Sequence, residues 1–196
     1  MTMRKTIIET KTSKLWAIEN FCVNIFSDLV DLPLEIEPPI RSYDGVPRFQ
    51  RRNVRFFSDV SDGYRYSGQI AKAIPLSPYP ILSDMMNVVN ETLGSEFNGI
   101  LVNRYINGDK NIGAHSDDEE FLDKNHKMIA TLAFGTVRTF RIRDKRSKKI
   151  VEDYEHKSRT LLMMDGRFQN EFTHEIPASK KVKGERISLT FRKHIK

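Results

Sequence analysis

Three side chains in this sequence could together bind a metal ion: those of His115, Asp117 and His174. Residues two apart in an extended backbone point to the same face, so His115 and Asp117 would present an imidazole and a carboxylate to one ion. A His-x-Asp pair alone is weak evidence, and His174, in a predicted strand, offers the third ligand. Two histidines and one carboxylate form the facial triad that holds Fe(II) and leaves positions open for a cosubstrate and dioxygen.

The last predicted strand, over residues 185–193, has the sharpest alternation in the chain. Apolar residues share one face and polar residues share the other, the latter being Arg186, Ser188, Thr190 and Arg192. The polar face either meets solvent or points inward, where two arginines would need an anion because unpaired buried charges cost free energy. Arginine binds carboxylates through a planar fork, so the inward arrangement predicts a site for a small dicarboxylate.

A second predicted strand, over residues 99–106, directs the polar side chains of Asn103 and Tyr105 to one face. These two groups therefore face whatever the sheet encloses. The remaining histidines lie in polar or terminal sequence and are expected to be exposed to solvent: His126, His156 and His194.

These residues need strands to position them, and after Phe97 the sequence predicts short strands at close intervals. Their expected ranges are 99–106, 128–135, 138–143, 159–165, 172–176 and 185–193. Short strands joined by turns are typical of a sandwich or a jelly roll. The basic connection over residues 144–158 is expected to be a solvated hairpin.

Two helices are predicted before these strands. Apolar residues recur at spacings of three and four over residues 15–30, with Ser13 as the cap, and over residues 81–93, where Gly94 ends the pattern. Prolines keep the segment between them from forming a regular helix. The sequence thus predicts helices before about residue 96 and sheet after it.

Composition favours one domain without a membrane span. The chain has 196 residues, 39% of them apolar, and no apolar run approaches the roughly 20 residues that cross a bilayer. The first residues form no unbroken apolar stretch, so a secretory signal is not expected. Cys22 is the only cysteine, which excludes an intramolecular disulfide and favours a reducing compartment. The net charge of +6 is compatible with a polyanionic partner or with an ordinary solvated surface.

Taken together, these residues resemble the AlkB family of Fe(II)- and 2-oxoglutarate-dependent dioxygenases. The family pattern is Asn-x-Tyr, His-x-Asp, a distant His and a final Arg-x-x-x-Thr-x-Arg strand, and every element occurs here in that order. The likeness extends from about Val46 to Lys193 and is strongest to the animal nuclear members that repair duplex DNA. It includes NRYINGDKNIGAHSDDE, VPR, YRYSG and LLMM, whereas Ser188 stands where the family usually has asparagine.

The resemblance implies two sets of residues for the cofactor and the cosubstrate. Fe(II) would be held by His115, Asp117 and His174. The other set would hold 2-oxoglutarate: Asn103, Tyr105, Arg186, Thr190 and Arg192.

The resemblance also implies contacts with nucleic acid. Tyr66 would stack on an extracted base, and Asp118 would contact the edge of that base. Its pocket would be lined by Tyr64 and Ser67. Two lysines, Lys180 and Lys181, would grip the strand opposite the lesion, although Ser179 replaces a further basic residue of that loop. A basic group in the lid either contacts phosphates or carries ordinary surface charge: Arg51, Arg52 and Arg55.

The implied fold is a single α+β, mainly β domain over residues 1–196, with a double-stranded β-helix (jelly-roll) core. Residues 1–96 would supply N-terminal helices and a nucleotide-recognition lid over 34–68, and residues 97–196 the catalytic core. The implied reaction uses Fe(II), 2-oxoglutarate and dioxygen to demethylate N-alkylated bases of DNA, such as 1-methyladenine and 3-methylcytosine, with release of formaldehyde. An intracellular monomer in the nucleus or cytoplasm is expected, with no membrane attachment. The open alternatives are an RNA demethylase, a hydroxylase of another substrate and a non-catalytic nucleic-acid-binding module.

Overall fold

The computed structural model describes residues 4–42, 44–66 and 68–195. Its strands in chain order are β1 Arg4–Glu9, β2 Ser13–Ile18, β3 Pro39–Ile40, β4 Arg48–Phe49, β5 Asn53–Ser58, β6 Gly63–Tyr66, β7 Gln69–Lys72, β8 Gly99–Tyr105, β9 Ile112–His115, β10 Ile129–Gly135, β11 Arg138–Asp144, β12 Ile150–His156, β13 Thr160–Gly166, β14 Phe172–Ile176 and β15 Arg186–Arg192. Its helices are α1 Phe26–Leu29, α2 Pro80–Leu93 and α3 Phe168–Glu171. None of these helices combines the length and the apolar character that crossing a bilayer requires.

The strands from β8 to β15 are divided between two antiparallel sheets. The larger sheet has the order β1-β2-β13-β10-β15-β8-β5, and the smaller has the order β12-β11-β14-β9. Inward side chains of both sheets pack into one apolar cluster, with Tyr105 and Leu162 from the larger sheet and Phe140 and Ile176 from the smaller. This arrangement is a double-stranded β-helix, so the predicted jelly roll is confirmed.

The second helix, α2, covers the outer face of the larger sheet. Its inward residues Leu82 and Val89 lie in the same apolar cluster as Ile100 and Val102 of β8. The helix predicted over residues 81–93 is confirmed, and Gly94 ends it in the left-handed conformation at a φ of 62°. Because Ile100 and Val102 face α2, the alternate residues of β8 face the smaller sheet.

The helix predicted over residues 15–30 is wrong. Its first part is strand β2, which pairs with β1 and β13, and only the single turn α1 is helical. Trp16 and Ile18 pack on the α2 side of the sheet, whereas Leu15 and Ala17 pack between the two sheets. A strand that is buried on both faces lacks polar alternation, so its apolar residues can match helical spacing by chance.

The predicted division at residue 96 is also wrong, because β1, β2 and β5 precede it and belong to the larger sheet. Ser13 starts β2 and caps no helix. The predicted lid contains the paired strands β3 and β4 and the strand β6, which pairs with β7 just beyond it. The connection over residues 144–158 is a hairpin as expected, with β12 pairing on β11 and exposing Ile150. Organisation of the whole chain as one domain stays a prediction.

Replacing Ile18 with alanine should lower the free energy of unfolding by about 2–5 kcal/mol, because it opens a cavity in the core. Ile18 is 1% exposed and pairs with Leu161 of β13. Ile150→Ala, at an exposed position of β12, is the matched control and should change this free energy by about 0.5 kcal/mol or less. Chemical denaturation measures both variants, and equal losses would contradict the packing of β2.

Candidate active site

The three candidate metal ligands come from two paired strands of the smaller sheet and from the loop that follows one of them. His115 ends β9, His174 lies in the middle of β14, and the two residues are paired across the strands. The Asp117 carboxylate lies 3.8 Å from Nε2 of His115 and 3.6 Å from Nε2 of His174. The donor atoms of the three residues lie within 4.8 Å of one another, a spacing that one metal ion can bridge.

The protonation states of these groups suit a metal ion. Burial lowers the pKa of His174 to about 3 and also lowers the pKa of His115, so both imidazoles are neutral at pH 7. Burial alone would raise the pKa of Asp117, but the Arg192 guanidinium holds it below its ordinary value. The Oδ2 atom of Asp117 is buried without a hydrogen-bond partner among the described residues, which fits a metal ligand.

The orientation of the His115 ring also fits a metal ligand. Its Nδ1 donates to the carbonyl of Gly113 at 2.8 Å, so its Nε2 is unprotonated and points toward Asp117. A backbone carbonyl that fixes the tautomer in this way is a common support for a metal-binding histidine. The residues present therefore fit Fe(II), and their role as its ligands stays a prediction.

The candidate cosubstrate residues line a cavity between the two sheets, next to these ligands. Strands β15 and β8 pair with Arg186 opposite Tyr105 and Ser188 opposite Asn103, so their polar side chains enter one space. The polar face of β15 points inward and not to solvent, because Arg186 and Arg192 are each only 2% exposed. All members of the predicted set line the cavity: Asn103, Tyr105, Arg186, Thr190 and Arg192.

The two cavity arginines differ in their partners. Arg192 donates from Nη2 to Oδ1 of Asp117 at 2.6 Å, so a buried carboxylate offsets its charge. Arg186 instead donates to two neutral acceptors, the carbonyl of His156 at 3.1 Å and Nδ1 of His156 at 2.9 Å. Burial lowers the pKa of Arg186 to about 10, and its Nε has no partner among the described residues. A buried cation without a carboxylate is costly, so Arg186 fits a bound anion.

The expected exposure of His156 is wrong, because this side chain is fully buried at the end of β12. Its Nε2 donates to the carbonyl of Thr160 at 2.8 Å, which leaves Nδ1 as the acceptor for Arg186. The available signal was the alternation along β12, in which exposed Glu155 separates the inward residues Tyr154 and His156.

The expected exposure of His194 is wrong as well. This residue follows β15 and is buried, with Nδ1 at 2.9 Å from the Ser61 hydroxyl and Nε2 at 3.1 Å from the Glu119 carboxylate. His126 is half-buried, with its ring edge-on to Phe97. The sequence around both histidines is polar and does not indicate burial. Their burial results from the packing of β15 and of the loop after β9.

A second pocket, of about 370 Å³, opens beside the candidate metal ligands. It brings together three of the predicted base contacts, Tyr64, Tyr66 and Asp118, and the ring of Tyr66 lies 6.2 Å from that of His115. The Asp118 carboxylate is paired with Lys145 at 3.0 Å, a contact that the sequence did not predict. This pair is largely exposed, so it is weak and can exchange with a ligand at small cost.

The remaining predicted contacts lie elsewhere. Ser67 is outside the described residues. Lys180 and Lys181 are exposed on the connection between β14 and β15, away from the pocket lining. Their contact with a nucleic-acid backbone stays a prediction.

The three arginines of the lid have three different environments. Arg51 is exposed, and Arg55 forms an ion pair with Glu35 at 2.6 Å. Arg52 is only 2% exposed and donates from Nε to Oδ1 of Asn103 at 2.7 Å, so it neither lies on the surface nor reaches a phosphate. The sequence could not separate Arg51 from Arg52, because the inward direction is set by the pairing of β5 with β8.

Stability should fall as the pH drops below about 6.5, and His156 should contribute to this fall. Burial and the Arg186 cation hold the pKa of His156 well below 6.5 in the folded protein, so only the unfolded chain takes up a proton there. Replacing His156 with asparagine should therefore reduce the slope of unfolding free energy against pH, by up to about 1.4 kcal/mol per pH unit between pH 6.5 and 5.

Denaturant titrations at several pH values measure this slope. Tyr154→Phe, at the preceding inward position of β12, removes no group that titrates in this range and should keep the original slope. A slope that is equally steep in His156→Asn would contradict a buried neutral imidazole.

The fold and the site define a class of protein: a double-stranded β-helix that holds a His-Asp-His cluster beside a cavity lined by two buried arginines. A model of the 2OG-Fe(II) oxygenase superfamily matches residues 23–192. The chain belongs to this superfamily and, within it, to the AlkB family. Fe(II), 2-oxoglutarate and dioxygen are the cofactor and cosubstrates of the superfamily, and the cluster and cavity fit them.

Individual relatives agree with this assignment. Human alpha-ketoglutarate-dependent dioxygenase alkB homolog 3 is 30% identical over 189 residues, which cover 90% of this chain and 60% of that protein. Human DNA oxidative demethylase ALKBH2 is 34% identical over 161 residues, which cover 77% of this chain and 58% of that protein. The chain thus spans about three fifths of the length of these relatives. The solved structure of OsALKBH1 has a similar fold, with a TM-score of 0.61 over 96% of this chain and 100% of that one at 15% identity.

Proposed function

We propose that this chain catalyses the Fe(II)- and 2-oxoglutarate-dependent demethylation of N-alkylated nucleobases, in DNA rather than RNA. The observation that carries the proposal is the meeting of three features: the His-Asp-His cluster, the unbalanced Arg186 cation and a pocket lined by Tyr66 and Asp118. A relative that is named a DNA oxidative demethylase supports the same substrate class. The protein would act inside the cell, as a monomer of one domain.

Each part of the site would have one task. His115, Asp117 and His174 would hold Fe(II), and Arg186 would bind the distal carboxylate of 2-oxoglutarate. The rest of the cosubstrate would be held by Asn103, Tyr105, Thr190 and Arg192. When bound, Fe(II), 2-oxoglutarate and dioxygen would supply the oxidation that turns an N-methyl group into an unstable hydroxymethyl group, which leaves as formaldehyde.

The second pocket would select the damaged base. Bases such as 1-methyladenine and 3-methylcytosine are largely cationic at neutral pH, so the Tyr66 ring and the Asp118 carboxylate favour them over unmodified bases. The base must leave the helix to reach the pocket, and unstacking costs less where methylation has already disrupted pairing. Release of Lys145 from Asp118 would accompany entry of the base, because the two cations compete for one carboxylate.

The alternatives differ in their products. An RNA demethylase or a hydroxylase of another substrate would share the cluster and the cavity, and differ only in what the second pocket accepts. A binding module without catalysis would have no need for a His-Asp-His cluster beside an unbalanced arginine.

Incubation with Fe(II), 2-oxoglutarate, oxygen and oligonucleotides carrying 1-methyladenine or 3-methylcytosine tests the proposal. Single-stranded and duplex DNA and RNA are compared, and mass spectrometry follows loss of the methyl group while succinate is measured in parallel. Demethylated DNA together with succinate is expected. Succinate without demethylation would move the substrate elsewhere, and absence of turnover would favour the binding module.

In the same assay Asp117→Ala should lower turnover by more than about a hundredfold, because it removes a metal ligand and leaves Arg192 unpaired. It should also abolish tight binding of Mn(II), measured by electron paramagnetic resonance. Asp153→Ala removes an aspartate that pairs with Arg141 on the outer side of the smaller sheet, and should retain full activity. Retained activity in Asp117→Ala would contradict the site.

Replacing Lys180 and Lys181 together with alanine should weaken binding to duplex DNA and reduce its dependence on salt. Each lost phosphate contact lowers the slope of log K against log salt by about 0.9 on B-DNA. Lys148→Ala with Lys149→Ala, on the exposed β11–β12 hairpin, is the matched control. Fluorescence anisotropy at several salt concentrations measures the slopes, and the same slope in both double variants would exclude a specific role for Lys180 and Lys181.

A further inference from the structure

Arg52 is a buried cation that lies beside both the cosubstrate cavity and the base pocket. It directly precedes β5, and its neighbourhood is fixed because the carbonyl of Arg51 accepts a hydrogen bond from the amide of Asn111 at 3.0 Å, just before β9. No ion pair among the described residues includes Arg52, and its Nη2 is buried without a partner there. Burial of a guanidinium without a carboxylate is costly, so its remaining contacts must hold it in place.

The first of these contacts fixes the amide of Asn103. The Nε of Arg52 donates to Oδ1 of Asn103 at 2.7 Å, and both side chains are buried. Because arginine nitrogens only donate, the oxygen of the amide must face Arg52. The amide NH₂ is then left to donate into the cavity that Asn103 lines. The carboxylates and the keto group of 2-oxoglutarate offer only acceptor atoms, so this is the orientation that the cosubstrate needs.

The second contact is with Tyr66. The guanidinium carbon of Arg52 lies 4.8 Å from the centre of the Tyr66 ring, within the range of a cation–π interaction. Stacking restricts the plane of the guanidinium and so keeps Nε directed at Asn103. Tyr66 also lines the base pocket. One cation therefore connects the wall of the base pocket to an amide of the cosubstrate cavity.

We infer that Arg52 is a positioning residue for 2-oxoglutarate. Arg52 acts through Asn103, and its own side chain is held in place by Tyr66. The inference rests on the proposed function in one respect, that Asn103 binds the cosubstrate. If Arg52 acts in this way, Tyr66, a residue of the base pocket, affects the affinity for 2-oxoglutarate even when no nucleic acid is present. An Arg52 that contacted a phosphate or lay on the surface would not have this effect.

Isothermal titration calorimetry tests the role of Arg52 by measuring the dissociation constant of 2-oxoglutarate. Mn(II) replaces Fe(II), and oxygen and nucleic acid are left out. Arg52→Met should raise the dissociation constant about tenfold, the effect of losing one well-oriented hydrogen bond to a charged ligand. Tyr66→Ala should raise it about threefold, whereas Tyr66→Phe keeps the ring and should not change it. Arg51→Met, at the exposed neighbouring position, is the matched control and should also leave it unchanged.

A double-mutant cycle separates action through Asn103 from direct contact with the cosubstrate. If Arg52 acts through Asn103, adding Arg52→Met to Asn103→Ala should weaken binding no further than Asn103→Ala alone. Fully additive losses, or an unchanged dissociation constant in Arg52→Met, would overturn the inference. An unchanged constant in Tyr66→Ala would remove Tyr66 from the arrangement.

Arg52→Lys provides a second variant in case the methionine variant does not fold. It keeps the positive charge but lacks the planar fork, so it should bind 2-oxoglutarate as weakly as Arg52→Met. Full affinity in Arg52→Lys would show that the planar fork is not needed to direct a donor at Asn103, and would overturn a positioning role that depends on stacking of the fork on Tyr66. The binding assay needs neither nucleic acid nor turnover. If the variants change the affinity for 2-oxoglutarate as expected but the protein demethylates no base, the role of Arg52 stands and only the proposed substrate is wrong.

Discussion

The candidate site depends on the buried ion pair between Asp117 and Arg192. The pair joins the loop after β9 to the last strand, with 2.6 Å between Oδ1 and Nη2, and it places the carboxylate between His115 and His174. Removing one partner of a buried pair leaves an unpaired charge and typically costs about 3–5 kcal/mol. The same contact keeps Asp117 ionised, which a metal ligand must be. One interaction thus fixes the carboxylate between the two histidines and keeps it in the charged form that a cation would need.

Charge is distributed unevenly around this pair. Four arginines are almost fully buried: Arg52, Arg138, Arg186 and Arg192. Among the described residues, Asp117 is the one carboxylate that is buried to a similar degree. Such an interior favours a dianion such as 2-oxoglutarate, because the ligand supplies the negative charge that the protein lacks. The pocket at the mouth has the opposite character, since Asp117, Asp118 and Glu119 line it with Arg65. An interior with excess positive charge and an acidic mouth would suit two ligands of opposite charge next to each other.

The scaffold explains why these charges remain fixed. The larger sheet is covered on one face by α2 and on the other by the smaller sheet, so the strands that carry Asn103, Tyr105 and the arginines have little freedom to move. The N-terminal strands extend this sheet beyond β13 and protect its edge. The lid is attached through β5, which pairs with β8, so Arg52, directly before β5, lies next to Asn103 of β8. Side chains on strands are positioned more accurately than side chains on loops, and His115 and His174 lie on strands while Asp117 is fixed by Arg192.

Resemblance to the AlkB family, carried by motifs of the sequence, implied the jelly roll and the residues that meet around the candidate metal ligands. The pattern of residues by itself predicted short strands after Phe97 and the helix α2. Their signals are local, because residues two apart on a strand share a face and a left-handed glycine ends a helix. Only the tertiary structure decided that residues 13–18 form a strand, since a segment buried on both faces carries no polar alternation. It also decided that Arg52 and His156 support the site, because their partners Asn103 and Arg186 are distant in sequence and meet them only in the folded interior. Which of several polar residues is buried depends on those long-range contacts, and a single sequence does not contain them.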